Sequence, residues 1–392
     1  MIHYFNPGHE TAVLNASKHY HQPANVAKMQ ADLAFLPAWY ASEGDCVYTD
    51  AVIAGLTRNP IENELLIIRG LRVKPAMTNH SAVDLWGISP QSIHFFEKIN
   101  EQYNLCLKIP QWKDEYKFLG SRFASQKILS QLIERIPEIE KNILPQFFSD
   151  IESIEQQIIH SKEKLLIKSP YSSSGRGLIW LPYKELAQSE KQILTGMLKK
   201  QKQVSIEKAL DKVLDFSLQF EITDNREIKF IGYSVFQTNS KGAYERSLLD
   251  TQNNLKKQIT AFINPDLLLR TKSTLTEILQ EMYAPYYAGI IGVDMLIYRS
   301  DDFFRLYPCV EINMRKNMGY LAVRFAENYL HPESKGSFHI EFNSDSEKTV
   351  QNHIQWQNKY PLTIEEGRII KGYLSLCPVT EDTNYHAYIL VS

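Results

Sequence analysis

YYAGIIGVDMLIYRSDDFFRLYPCVEINMRKNMG, residues 286 to 319, carries the densest chemical pattern in the chain. Two apolar, alternating runs are joined by the polar turn 300 to 302, which predicts an antiparallel hairpin. With that turn as pivot, Asp294 on the first strand lies near Glu311 and Asn313 on the second. Residues two apart on a strand share a face, so Glu311 and Asn313 point the same way. Carboxylates among apolar neighbours such as Val310 and Ile312 need compensation. Two carboxylates and an amide oxygen on one face form a hard-oxygen set suited to Mg²⁺ beside phosphates, and Arg315 could reach the same face. The plainer alternative is a structural hairpin with a salt bridge from Glu311 to Arg315.

Upstream lies LLIKSPYSSSGRGLIW, residues 165 to 180. A strand ends in Lys168, a loop of small residues follows (Ser172, Ser173, Ser174, Gly175, Gly177), and a second apolar strand begins. Small residues let backbone N–H groups approach a polyanion closely, and Lys168 supplies a point charge. The loop is neither a Walker A motif nor G-x-G-x-x-G, since both lead into a helix and 178 to 181 reads as a strand. An ordinary serine-rich hairpin turn fits it equally well.

Around these two segments the chain divides by pattern. Over the first 114 residues, strand-like runs (2 to 5, 46 to 48, 65 to 68) alternate with helices. One helix is predicted over 25 to 41, capped by Asn25 and kinked at Pro37; another over 91 to 103 has Ser89 as cap and Pro90 at its first position. Such alternation predicts a small parallel α/β domain. Residues 108 to 115 read as a linker, and 121 to 136 as a helix with Phe123, Ile128, Leu129, Leu132, Ile133 and Ile136 on one side. From 164 the strands are longer (164 to 168, 204 to 210, 216 to 223, 228 to 236, 290 to 298, 303 to 313). Helices over 184 to 201 and 265 to 283 interrupt them, as in an α+β domain built on antiparallel sheets. Two further strands are expected at 369 to 376 and 386 to 391.

Composition narrows the classes. The 392 residues, 44% hydrophobic, have room for about two or three domains, which excludes a disordered or peptide-sized scaffold. With 43 basic and 45 acidic side chains the net charge is −2, so neither nucleic acid nor anionic lipid is attracted globally, and no basic run does it locally. Cys46, Cys106, Cys309 and Cys377 form no C-x-x-C pair, so buried free thiols in a reducing cytosol are expected. The N-terminus lacks a signal-peptide pattern. The longest apolar stretch, 285 to 298, is too short to span a bilayer and contains Asp294. The expectation is a soluble, cytoplasmic protein with no nucleic-acid or membrane partner.

Together the motifs resemble the ATP-grasp superfamily over about residues 115 to 328. The lysine and glycine-rich lid loop of that family resembles 168 to 177, and its terminal E-x-N-x-R pattern resembles Glu311, Asn313 and Arg315. VSIEKALDKVLDFSLQF (204 to 220) resembles its hinge. The resemblance implies that Glu207 takes the adenine amino group, that backbone around Lys208 and Leu210 lines the ring, and that Asp215 holds the ribose hydroxyls. SRFASQK (121 to 127) resembles the helix start that bears the first basic phosphate ligand, with Arg122 the better match and Lys127 the fallback. In QTNSKGAYERS (237 to 247), Lys241 takes the place of a basic residue over the γ-phosphate on a loose alignment. Tyr244 and Arg246 either contact substrate, Arg246 being the better candidate, or belong to a solvated turn.

The fold so implied is an α/β N-terminal domain (1 to 114) of the kind that precedes ATP-grasp modules. An α+β ATP-grasp domain follows (115 to 330, lid about 125 to 205), with two antiparallel sheets sandwiching the nucleotide, and then a C-terminal α/β extension (331 to 392). The activity implied is an ATP-dependent carboxylate–amine ligase that forms an amide or peptide bond through an acyl phosphate, releasing ADP and phosphate. One or two Mg²⁺ ions, which Mn²⁺ could replace, would sit on Asp294, Glu311 and Asn313, with Arg315 and Lys241 catalytic. The partners implied are small-molecule carboxylate and amine substrates, and a homodimer is compatible. A small-molecule kinase and a nucleotide-binding regulatory module without turnover remain open.

FNPGHETAVLN (5 to 15) follows the first predicted strand, at the carboxyl end where α/β domains bind ligands. Asn6, His9 and Glu10 are therefore candidates for the co-substrate pocket, although His9 could equally be a cap. His19 and His21 lack further ligands at metal spacing and read as a surface turn.

Overall fold

The computed structural model describes residues 1–49, 53–55, 82–172, 177–181, 185–240 and 242–392. The strand expected at 65 to 68 lies outside the described residues, as do Ser173, Ser174, Gly175 and Lys241. The chain forms two compact units, and they do not follow chain order. One comprises Met1–Lys113, Glu245–Asn254 and Arg315–Ser392, the other Asp114–Tyr244 and Leu255–Met314.

In the first unit, strand Ile2–Tyr4 runs parallel to Cys46–Tyr48 on one side and to Val83–Leu85 on the other, with Ile53–Gly55 antiparallel at the edge. Ile2, Tyr4, Val83, Leu85, Ile93, Phe96 and Ile99 make one core beneath helix Pro90–Tyr103. That helix starts where the sequence predicts. Ser89 Oγ accepts from Ser92 N at 3.2 Å and Ser92 Oγ accepts from Ser89 N at 3.1 Å, a reciprocal capping box ahead of Pro90. The helix expected over 25 to 41 is shorter: it spans Ala24–Asp32, with Pro23 rather than Asn25 at the cap, and a separate 3₁₀ turn covers Leu36–Trp39. Pro37 has no N–H to continue a helix through 25 to 41, whereas in the first turn of the 3₁₀ segment that N–H is not needed.

The same unit contains antiparallel strands from the later stretches: Gly336–Phe342 pairs with Tyr385–Val391, which pairs with Arg368–Ser375, which pairs with Thr363–Glu365. Both strands expected near the C-terminus are present. Trp39 ties this part to the N-terminal part, donating from Nε1 to the Leu376 carbonyl at 2.8 Å and packing against Phe325 and Tyr329.

The second unit contains two antiparallel arrays. The first has the order Gln146–Phe148, Val204–Lys208, Leu165–Lys168, Leu178–Leu181 and closes over Ile154, Ile167, Leu194 and Ile206 with helices Ile151–His160 and Gln188–Gln201. In the second, Phe303–Asn313 pairs with Gly289–Ser300, which pairs with Asp211–Ile222, which pairs with Ile228–Thr238. Helix Arg122–Arg135 buries Ile128, Leu129, Leu132 and Ile133, as its spacing predicts, while Phe123 is half-buried. All four cysteines are free, but only Cys309 and Cys377 are buried; Cys106 is exposed. No described helix is long and apolar enough to cross a membrane.

Candidate functional site

Next to the turn the register follows Ser300 opposite Phe303 and Leu296 opposite Tyr307, and a bulge between Asp294 and Leu296 then shifts it by two residues. Asp294 and Glu311 are direct cross-strand partners, Gly292 faces Asn313, and a bulge follows Asp294. Asn313 Nδ2 donates to Asp294 Oδ2 at 2.9 Å. Two carboxylates directly opposed on a sheet repel unless a cation lies between or beside them. Part of that cation comes from Arg122, whose Nη2 donates to Glu311 Oε2 at 2.8 Å. The salt bridge from Glu311 to Arg315 is thus not formed.

Arg122, 9% exposed at the start of its helix, gathers three segments. Its Nε donates to the Ser169 carbonyl at 3.1 Å, its Nη2 to Ser172 Oγ at 3.3 Å, and Ser125 on the same helix accepts from Ile312 N at 3.1 Å. The fallback Lys127 is exposed on the same helix. Gly177 closes the serine loop at φ +71°, where a Cβ would lie 2.8 Å from Ser169 Oγ, so only glycine fits. The Gly177 carbonyl accepts from Ser169 N at 3.0 Å.

Lys168 and Glu207 form a buried ion pair, and Tyr307 OH donates to the other Glu207 oxygen at 3.2 Å. Burial lowers the Lys168 pKa more than Glu207 raises it, and pushes the Tyr307 phenol far above its ordinary value. Tyr307 was not singled out from the sequence, although its two-residue phase with Glu311 and Asn313 on one strand was available there. A cavity of about 10 Å³, the space of one water, is lined by Arg122, Phe147, Glu207, Tyr307, Cys309 and Val310. Burial, then the charges of Asp294 and Glu311, raise the Cys309 thiol strongly, so it stays protonated.

The remaining hinge candidates stand further along. Lys208 Nζ pairs with Glu163 at 2.8 Å, Leu210 is half-buried, and Asp215 Oδ2 receives Lys212 Nζ at 2.5 Å and Thr238 Oγ1 at 2.9 Å.

In the first unit Arg315 pairs with Glu10 through Nε and Nη2. The neighbouring Lys316 pairs with Asp84, whose carboxyl sits at about 2: burial alone would raise it, but Lys316 and His3 prevail. Asn6 exchanges two hydrogen bonds with Gly87, Nδ2 to O at 2.7 Å and N to Oδ1 at 3.0 Å. This joins the loops at the carboxyl ends of Ile2–Tyr4 and Val83–Leu85. His9 and Glu10 are not in the loop itself but open the short helix His9–Asn15 that follows it, both buried. Arg246 is half-buried on strand Tyr244–Leu249, opposite His339.

No protein-family profile matches the chain, and no curated protein matches its sequence. Solved structures do. N5-carboxyaminoimidazole synthetase from Staphylococcus aureus, complexed with ADP, is 11% identical with a TM-score of 0.50, covering 100% of this chain and 92% of that one. Biotin carboxylase from Campylobacter jejuni, in a β-γ-ATP complex, is 12% identical with a TM-score of 0.49, covering 100% and 87%. The biotin carboxylase domain of 2-oxoglutarate carboxylase from Hydrogenobacter thermophilus, with MgADP and bicarbonate, is 11% identical at 0.48, covering 100% and 86%. At such identities the likeness is one of fold alone, and the fold of this chain is the ATP-grasp fold, an α/β N-terminal part with mixed sheets and helices after it.

Proposed function

We propose that the protein is an ATP-dependent carboxylate–amine ligase that forms an amide or peptide bond. The observation that carries the reading is the convergence in one unit of Asp294, Glu311 and Asn313 with Arg122, Lys168 and Ser172. A site that holds a polyphosphate needs cations for its oxygens and an oxygen face for its metal, and both kinds of group meet here. The S. aureus enzyme, which shares the fold, is complexed with ADP, and this supports the reading that the chain binds an adenine nucleotide.

In this reading Arg122 and Lys168 bind phosphate oxygens together with Ser172, Ser173, Ser174, Gly175 and Gly177. Glu207, Lys208, Leu210 and Asp215 serve the base and ribose. Glu207 is spent on Lys168 and Tyr307, so a purine enters only as those side chains move apart and Lys168 turns to phosphate. Asp294, Glu311 and Asn313 would hold one or two Mg²⁺ ions. Such an ion supplies charge neutralisation to the β- and γ-phosphate oxygens. A substrate carboxylate attacks the γ-phosphorus, ADP leaves, and an amine displaces phosphate from the acyl phosphate, with Arg315 and Lys241 stabilising developing charge. The acyl phosphate is water-sensitive, which gives a lid over about 125 to 205 its purpose. The division into 1 to 114, 115 to 330 and 331 to 392 belongs to the same proposal.

Pooled amino acids and polyamines, each with a pool of carboxylates, should release ADP with Mg²⁺, and the product should gain the mass of an amide. A stable phosphorylated product would mark a kinase instead. If ATP with Mg²⁺ raises the melting temperature but no mixture releases ADP, the protein is a binding module. Glu311→Gln should abolish metal-dependent ADP release while leaving the fold intact, and full activity in that variant would remove the metal assignment.

A further inference from the structure

Two polar atoms in the first unit are buried without a hydrogen-bond partner in the same dipeptide: Nδ1 of His9 and Oε2 of Glu10. The residues are 3% and 8% exposed. They open helix His9–Asn15, which follows strand Ile2–Tyr4 at its carboxyl end. Strand Ile2–Tyr4 has one parallel neighbour on each side, so the strand order reverses there, and open α/β sheets bind ligands beyond the carboxyl ends at such a point. Close contacts fix the surroundings of the two side chains. Asn6 and Gly87 clamp the two loops, and a Cβ on Gly87 would lie 2.5 Å from the His9 ring, so the imidazole rests on the glycine backbone.

The chemistry of the two atoms is specific. Arg315 occupies Glu10 Oε1 from two nitrogens and leaves Oε2 with no donor. Glu10 is ionised: burial alone would raise its pKa, but Arg315 and then His9 bring it below the ordinary value. His9 is neutral, because burial drives it down to about 4. A buried carboxylate oxygen without a donor is costly, so the site is complete only with a group that donates. A second carboxylate would be repelled by Oε2, and a hydroxyl brings one proton for two atoms. A primary amine brings at least two.

We propose that Glu10 and His9, positioned by Arg315, Asn6 and Gly87, form the binding site for the primary amine of a small-molecule substrate, Glu10 Oε2 accepting from the nitrogen and His9 Nδ1 accepting a second N–H. This rests on the ligase reading for the fate of the amine, and on the first unit's own geometry for the binding.

The test uses the full chain without ATP. Ethanolamine, putrescine and glycine ethyl ester are titrated against matched ethylene glycol, 1,4-butanediol and acetate. The amines should raise the melting temperature saturably and the matched compounds should not. Glu10→Gln should weaken the amine effect about tenfold or more. In histidine-¹⁵N-labelled protein, the resonance missing from His9→Gln should move on amine addition, which reads the site without relying on the Glu10 variant. Mg-ATP is titrated in parallel on wild type and Glu10→Gln, and an equal ATP shift in both shows the variant folded. An amine effect undiminished in Glu10→Gln, or no amine response while ATP still stabilises, overturns the proposal; the latter pattern would leave a buried water as the partner of the two atoms. Loss of the ATP response alone overturns the ligase reading and leaves the amine site standing.

Discussion

Lys168 and Glu207 show what a single pair of residues decides here. Both are buried, and burial has already weakened the ammonium's hold on its proton. Removing one charge from such a pair strands the other, at a cost of roughly 3–5 kcal/mol, whereas removing both is far milder. Glu207→Gln should therefore lower the denaturant midpoint strongly and Lys168→Met with Glu207→Gln should recover much of it; a double variant no better than the single would mean the pair is not buried in solution. Gly177 makes a second residue-scale prediction. At φ +71°, with Ser169 Oγ beside the missing Cβ, Gly177→Ala should cost about 1–2 kcal/mol in urea unfolding. Lys168 and Gly177 were legible in the sequence as members of a loop; that Lys168 would find Glu207, 39 positions on by their numbering, was not.

Among the elements, helix Pro90–Tyr103 is the clearest case of local encoding. Ser89, Pro90 and Ser92 specify its start within four residues, and the reciprocal bonds form as expected. Ser89→Ala should lose the Ser89 Oγ cap while the Ser92 return bond to the backbone N–H of residue 89 remains, costing about 1 kcal/mol, measured as a lower melting temperature, while Ser89→Asp should retain most of the stability. An unchanged melting temperature for the alanine variant would show that the helix is held by its buried face alone. The hairpin ending in Asn313 was legible as a hairpin, because a short turn and a two-residue period set which residues share a face, but the bulge that places Asp294 opposite Glu311 was not. Helices Ile151–His160, Gln252–Thr260, Met318–Tyr329 and Ser346–Lys359 were not read from the sequence. Met318–Tyr329 begins three residues after Arg315, and its cap, Asn317 accepting from Tyr320 N at 3.0 Å, lies just beyond the E-x-N-x-R pattern.

At the scale of the molecule, proton uptake gives a prediction. His9, His339 and His386 are driven by burial to about 4, about 4 and about 3, and His353 is lowered as well. In the unfolded chain each titrates near 6.5. Between those values the unfolded state binds protons that the folded state refuses, so stability is full above pH about 6.5 and is lost as the pH falls toward 4. Asp84, at about 2 when folded against an ordinary value of 3.8, acts in the same direction below that window. The melting temperature should be level near neutrality and fall steeply on acidification, and His386→Gln should flatten part of the fall. A level profile down to pH about 4.5 would contradict the burial of these rings.

The local amino-acid pattern alone established the strand-rich later half, the Asp294, Glu311 and Asn313 face, the Arg122 helix start and the Ser89 cap. Each depends on spacing within one turn, one hairpin or one helical repeat, which residues a few positions apart impose through backbone geometry. Packing in three dimensions settled the partners of the charges: Arg122 with Glu311, 189 positions away, and Arg315 with Glu10, 305 positions away. It also brought residues 315 to 392 into one unit with the first 113. Such pairings depend on which groups are desolvated together, and desolvation follows from the assembled core rather than from any short run of sequence.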